Sequence, residues 1–450
     1  TRGRCQVPSG RRCHCRVGLL SNMTTRPGLA VHRHEGGKDS LAFILFAGGA
    51  AFSAYFAMYA FRKPFTAATY TDIADWQFAI DFKIALVIAQ LLGYALSKFI
   101  GVKVVSEMSP ARRALAIISL IAMSWVALVL FAILPAEAKP FAMFFNGLPL
   151  GMIWGLVFAY LEGRRSSEIL ASILCASFIL SSGLVKSVGS WLMAEWQVTE
   201  LWMPAATGVL FMPILLISVY GLSRLPPPSA RDVAERIARP PINAAGRSAF
   251  LREYGPGVVL LVLAYVLFTV IRDFRDNFAA EIWEALGYGQ SPIVFAASEA
   301  PIAVLTLVIL ASLVAVRDNY RALMIMHFII LAGAILVGVS TLAFSAGWLD
   351  PAIWMVASGL GLYLAYTPFN AMLFDRLIAA SGRAGTAAFL IYIADASGYA
   401  GSVGLLLLRN LPGMAIDWLP FYTALALFGA AASFLLMIAS LRHFDYKLKK

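Results

Sequence analysis

Two apolar stretches of helix length each carry an arginine: Arg62 in Tyr59-Ala60-Phe61-Arg62-Lys63-Pro64-Phe65, and Arg272 in Thr269-Val270-Ile271-Arg272-Asp273-Phe274-Arg275. A guanidinium held in hydrocarbon is costly, so its repetition in two halves of a chain calls for a reason. Arginine stays charged and presents a planar fork of donors that matches the paired oxygens of a carboxylate or phosphate. The chemistry suggested is capture of an anion. On a helix, Tyr55, Tyr59 and Arg62 stand at spacings of four and three, so one face offers two phenols and a guanidinium. Arg272 and Arg275 share a face in the same way, and Lys63 adds a further cation. A plainer account stays open at this stage: these cations lie toward the ends of their stretches, from which long side chains can snorkel to lipid headgroups.

Four other ionisable residues interrupt apolar runs: Lys98, Lys186, Glu299 and Asp395. Charges inside a bilayer pair with one another or line a wet path, which makes them candidates for coupling or gating. Lys98 with Glu299, and Lys186 with Asp395, are the expected pairs, although sequence alone does not match partners. His327, among Met324, Met326 and Phe328, is expected to be a packed histidine. The stretch Tyr363-Leu364-Ala365-Tyr366-Thr367-Pro368-Phe369-Asn370 is a candidate cavity lining, with a kink expected at Pro368.

The elements that must position these residues follow from composition. The 450 residues are 60% hydrophobic and only 14% charged, with mean hydropathy +0.77, far more apolar than a soluble domain. Runs long enough to cross a bilayer fall at about 41–61, 84–105, 114–134, 141–161, 169–194, 203–222, 255–275, 293–316, 323–344, 352–374, 385–408 and 419–441. None alternates as a β-barrel strand would, so the expected spans are helices whose backbones satisfy themselves.

Of the 36 Lys and Arg, all but nine (Arg62, Lys63, Lys83, Lys98, Lys139, Lys186, Arg272, Arg275 and Arg409) fall in the two tails and the even-numbered connections. The positive-inside rule then puts both termini in the cytoplasm. The net charge of +11 is read as this topology signal, not as nucleic-acid binding. The longest polar connection, 223–253, holds Pro226-Pro227-Pro228 and six arginines and divides the spans six and six. The chain opens Thr1-Arg2-Gly3; Met23 is the expected native start, which would set residues 1–22 aside. Cys13-His14-Cys15 lacks the four-ligand spacing of a structural zinc site, so no metal is expected. Neither a phosphate-binding Gly-x-x-x-x-Gly-Lys-Ser/Thr loop, a His-Glu-x-x-His pair nor a Gly-x-Ser-x-Gly elbow occurs, and no enzymatic activity or cofactor is expected.

Six-plus-six spans about a long central connection resemble the major facilitator superfamily, and several motifs resemble its organophosphate:phosphate antiporter branch. Tyr59-Ala60-Phe61-Arg62-Lys63-Pro64-Phe65 is similar to that branch's first-helix Tyr-x-x-Arg-Lys-x-Phe, whose arginine binds substrate phosphate. Ser97-Lys98-Phe99-Ile100, Ser298-Glu299-Ala300-Pro301, Ala365-Tyr366-Thr367-Pro368, Ala384-Gly385-Thr386-Ala387-Ala388 and Gly398-Tyr399-Ala400-Gly401 resemble its second, eighth, tenth and eleventh helices. The resemblance implies Arg62 and Arg272 as an anion clamp. It implies Tyr55, Tyr59, Tyr366 and Tyr399 as cavity lining, and a Lys98–Glu299 pair that alternates. The chain departs from the branch at Glu107-Met108, where Asp-Arg is usual. It also lacks the fifth-helix histidine, with Lys186 two turns on, and has Asn277 beside Asp276 where an aspartate is usual.

The expected architecture is an all-α integral membrane protein with twelve transmembrane helices in two pseudo-symmetric six-helix bundles. The expected bounds are a tail at 1–39, bundles at 40–222 and 254–442 joined by the 223–253 linker, and a tail at 443–450. The expected function is secondary active transport of a small anion (phosphate ester, phosphate or carboxylate) across the inner or plasma membrane, by exchange or with protons. Arg62, Arg272, Tyr55, Tyr59, Lys63, Arg275, Tyr366 and Tyr399 are the expected binding residues; Lys98, Glu299, Lys186, Asp395 and Glu107 are the expected gating set. The expected partners are the anion and the lipid bilayer, with the protein a monomer. The alternative is a receptor on the same scaffold that senses a solute without moving it.

Overall fold

The computed structural model describes residues 41–71, 73, 75–164, 166–228, 244–382, 388–411 and 417–449. The tail with Cys5, Cys13, His14, Cys15 and Met23, the middle of the linker and Ala384-Gly385-Thr386-Ala387 lie outside the described residues. Among the described residues the regular structure is helical, and twelve segments are long and apolar enough to cross a bilayer. The first half comprises α1 (Leu41–Tyr59), α2 (Phe82–Glu107), α3 (Pro110–Ile133), α4 (Lys139–Leu150), α5 (Ile153–Phe158), α6 (Ser167–Trp196) and α7 (Met203–Ser223). The second comprises α8 (Ala244–Asn277), α9 (Ala279–Ala285), α10 (Val294–Leu313), α11 (Asn319–Ser345), α12 (Pro351–Pro368), α13 (Phe374–Ala380), α14 (Ala388–Arg409) and α15 (Trp418–Leu448).

Short polar signals set the helix ends. Asp81, Asp318 and Asp350 accept from the first free backbone N–H groups of α2, α11 and α12. Pro110 and Pro351 stand in the first turn, where a missing N–H costs nothing. Lys139 donates to the carbonyls of Phe131 (2.8 Å) and Ala132 at the end of α3. The final helix continues to Leu448 and α8 begins at Ala244, so parts of the expected tail and linker are helical. After Pro368 the tenth span opens into a π turn at Phe369–Leu373.

Within each half, small residues let helices meet backbone to backbone. A Cβ on Gly93 would stand 2.1 Å from the Phe144 carbonyl oxygen, and one on Gly147 would stand 2.2 Å from that of Gln90, which locks α2 to α4. Two seams join the halves, α2 against α14 and α6 against α10. Along the first, Asp81 meets Asn410 (N to Oδ1, 3.1 Å), Tyr94 meets Tyr399, and Lys98 meets Asp395, an antiparallel register. Along the second, Ser187 Oγ accepts from the Ala296 N–H (3.0 Å), and Gly183 lies directly against Phe295 and Glu299.

Candidate functional site

α1 ends at Tyr59 but the chain keeps turning through Arg62 and Lys63, both of whose N–H groups reach the Tyr59 carbonyl. Pro64 stops it, having no N–H to continue. The carbonyls left free are taken by amides from neighbouring helices. Gln90 donates to Arg62 O (2.9 Å) and to Asn146 Oδ1 (2.7 Å), while Asn146 donates to Phe61 O (2.9 Å) and Ser124 Oγ (2.7 Å). The peptide under Arg62 is thereby fixed. Its guanidinium lies 3.8 Å over the Tyr94 ring and 5.7 Å from that of Tyr59, which packs edge-on to Tyr55. Arg62 is 8% exposed, its Nε has no acceptor, and among the described residues no carboxylate or hydrogen bond reaches its side chain.

Arg272 is matched to Arg62 by position, since Tyr265 precedes it by the same seven residues that separate Tyr55 from Arg62. Its guanidinium lies 4.0 Å over Tyr366. Unlike Arg62, it has a carboxylate: Nη2 stands 2.5 Å from Asp273 Oδ1, and Asp273 Oδ2 accepts from Ser402 on α14 (2.8 Å). Tyr265 stacks on Tyr366 and donates to Asp395 (2.5 Å), whose other oxygen holds Lys98. Lys98 also lies 5.2 Å from the Tyr399 ring, which packs edge-on to Tyr94. A continuous aromatic and ionic path thus runs from Arg62 through Tyr94, Tyr399, Lys98, Asp395, Tyr265 and Tyr366 to Arg272.

A second polar layer crosses between the halves beyond the end of α1. Asp276 receives Lys63 and Lys186, both at 2.5 Å, and the Ser182 hydroxyl; Lys63 also donates to Asn277 Oδ1 (2.7 Å). Burial pulls the Lys63 ammonium down to about 8 against the opposing pull of Asp276. Lys83 pairs with Glu281 at 2.6 Å. A recess of about 680 Å³ is lined by Tyr70, Trp76, Asp81 and Phe82 on one side and by Arg409, Asn410 and Trp418 on the other.

Several sequence expectations are corrected. Lys98 does not meet Glu299, and Lys186 does not meet Asp395. Lys98 rides on α2, whose partner across the seam is α14, so it meets Asp395; Lys186 lies at the depth of Asp276 on α8. Glu299 is taken by Arg275 (2.5 Å), which also donates to Met355 O. Lys63 is drawn to Asp276 instead of joining Arg62. Glu107 stands exposed at the last residue of α2. Arg62 is buried, and both guanidinium groups lie over aromatic rings of neighbouring helices. His327 is buried and held by Leu323 O and Ser440 Oγ. Sequence reasoning missed Tyr94, Tyr265, Asp273, Gln90 and Asn146; the repeated Tyr-to-Arg spacing of seven was the signal for Tyr265.

No curated protein matches the sequence. Among solved structures, the chain is similar to a D-xylose-proton symporter (TM-score 0.56, 14% identity, covering 87% of this chain and 95% of that one). It is similar also to the nucleoside transporter NupG (0.56, 15%, 90% and 99%) and to a POT family transporter in complex with a thioalcohol-conjugated peptide (0.57, 12%, 91% and 96%). At such identities the likeness is one of fold, and the fold is that of the major facilitator transporters. Residues 64–447 match a protein family described as "Family of unknown function (DUF5690)", and with so much of its length matched, this chain belongs to that family.

Proposed function

We propose that this protein is a secondary transporter that carries a small anionic solute across the cytoplasmic membrane by alternating access between its two halves. The observation that carries the reading is Arg62: a buried guanidinium with aromatic faces around it and no acceptor. Burying a charge without a partner is unfavourable, and an anion bound between Arg62 and the tyrosines of the opposite half would supply one. The similar folds of a sugar symporter, a nucleoside transporter and a peptide-bound POT family member support transport over sensing. The resemblance to organophosphate:phosphate antiporters adds phosphate and its esters to carboxylates as candidate solutes.

The two inter-half layers supply the gates. Lys98–Asp395 lies on the side where the tails emerge, read as cytoplasmic from the distribution of Lys and Arg; the Asp276 cluster and Lys83–Glu281 lie on the other. Opening one side while the other holds gives alternating access about a central site. An empty site leaves Arg62 unpaired, which favours exchange over empty return. The test is counterflow in proteoliposomes. Arg62→Lys and Arg62→Gln should insert normally and lose exchange, because lysine lacks the planar fork; full exchange in both would remove the anion site.

A further inference from the structure

Resting on that reading, we infer that Lys63, Ser182 and Lys186 of the first half form a second anion site, a carboxylate cradle at the gate away from the tails. Asp276 plugs it while the halves are closed, and the carboxylate of an entering solute takes its place when they part. The geometry is that of a bound carboxylate. Lys63 Nζ stands 2.5 Å from Asp276 Oδ2, Lys186 Nζ stands 2.5 Å from Oδ1, and the Ser182 hydroxyl donates to Oδ1 as well. Each carboxylate oxygen is thus met by its own ammonium group, and all three donors come from one half while the carboxylate comes from the other. Lys63 and Lys186 are 4% and 3% exposed.

The cradle is built without help from the second half. Ser182 and Lys186 stand four residues apart on α6 and so share one face. Lys63 is fixed by the turn that ends at Pro64: its N–H reaches the Tyr59 carbonyl, and its own carbonyl accepts the Thr66 hydroxyl (2.8 Å). What the second half supplies is the occupant. Asp276, its carbonyl, which accepts from Lys186, and Asn277, which accepts from Lys63, all ride on α8. Among the described residues the buried charged side chains of the first half are Arg62, Lys63, Lys83, Lys139 and Lys186, every one basic. When the halves separate on this side, two ammonium groups therefore lose their one carboxylate, with no buried acid of their own half to take over. Even with Asp276 in place, two positive charges share a single negative one. A solute carboxylate seated in the cradle restores the lost contacts, and the cradle lies one residue along the chain from Arg62, so the solute passes from one anion site to the other as the gate closes behind it.

The test is chemical rescue of the purified full-length chain, read as melting temperature. Asp276→Ala removes the plug and leaves the cradle empty, so the variant should melt below the wild type in sodium chloride. Sodium acetate at the same ionic strength should restore roughly half of that loss or more, saturably, because it binds the folded state alone. Acetamide, with the shape of acetate and no charge, should restore nothing, and the wild type, its cradle filled, should show no preference for acetate over chloride. Adding Lys186→Met to Asp276→Ala should abolish the preference, and adding Ser182→Ala should weaken the apparent acetate affinity. Asp276→Asn, which keeps the shape of the side chain, serves if Asp276→Ala does not fold; its lysines still lack a carboxylate, and acetate should still raise its melting temperature above that in chloride. Acetate no better than chloride in the variant that folds, an equal acetate effect on the wild type, or rescue that survives Lys186→Met overturns the cradle. Adding Arg62→Gln separates the two sites: rescue retained supports the cradle, whereas rescue lost assigns the acetate to Arg62, which overturns the cradle and leaves the proposed transport site standing. Failure of that transport site is read in the counterflow of the Arg62 variants, which is measured apart from the rescue.

Discussion

Lys98 on α2 and Asp395 on α14 are bonded across the seam between the halves, one turn from the Tyr94–Tyr399 contact on the same two helices. Asp395 is also the acceptor for Tyr265, so it takes two hydrogen bonds where Lys98 gives one.

The two partners should therefore respond unequally to substitution. Lys98→Ala is expected to cost about 1–2 kcal/mol of stability and Asp395→Asn more, about 2–3 kcal/mol; both fall below the full cost of breaking a deeply buried pair because the Lys98 side chain keeps 24% exposure. Thermal melts of the purified variants give the order. The reversed pair Lys98→Asp/Asp395→Lys should regain part of the loss, and no recovery at all would mean the two charges do not act as a pair.

Asp276 offers a sharper case. It is the shared acceptor of Lys63, Lys186 and Ser182, so Asp276→Asn strands two buried lysines and should destabilise by about 3–5 kcal/mol. Lys63→Ala and Lys186→Ala should each cost less, and their sum should differ from the double variant by roughly 0.5–3 kcal/mol, since they share one carboxylate. Strict additivity would contradict the shared-acceptor geometry.

Asn146 has no contact with the Arg62 guanidinium, yet it should matter to solute binding. Asn146→Leu orphans the Phe61 carbonyl and removes an acceptor from Gln90, a loss of about 1–3 kcal/mol for each buried group left unpaired. With the peptide under Arg62 no longer fixed, the apparent KM for exchange should rise while membrane insertion is retained. An unchanged KM would show that the backbone network is structural only.

Gly183 tests the second seam. A methyl there would sit 2.4 Å from the Phe295 carbonyl oxygen and 2.7 Å from Glu299 Cγ, so Gly183→Ala should hold α6 off α10. Loss of exchange with normal expression is expected. Gly49→Ala, where the added carbon meets nothing within 4 Å, is the control and should transport as the wild type does.

The twelve spans were legible in the sequence because crossing a bilayer demands about twenty apolar residues, a requirement local to each segment. Arg62 and Arg272 were legible as charges interrupting such runs, and Pro368 as the break in the tenth. Ion-pair partners were not. Whether Lys98 meets Asp395 or Glu299 depends on which helix lies across the seam and at what register, and nothing near Lys98 encodes either. Asp273 stood in plain view beside Arg272, but its role depends on a side chain folding back along its own helix and on Ser402, more than a hundred residues away. Gln90 and Asn146 carry no charge and make no pattern; only the broken end of α1, with carbonyls in want of donors, gives them a task.

Arg272, Asp273, Arg275 and Asp276 fall within five consecutive residues of α8, and each is answered from a different quarter: Tyr366 of α12, Ser402 of α14, Glu299 of α10, and the lysines of the opposite half. Successive side chains leave a helix about 100° apart, so these four fan over roughly 160° of its circumference. A twist or slip of α8 would forfeit all four attachments together. The seventh span is thus keyed like a spindle, free to tilt with its bundle but unable to spin within it, and any motion that exposes the arginines must be carried by its neighbours parting around it.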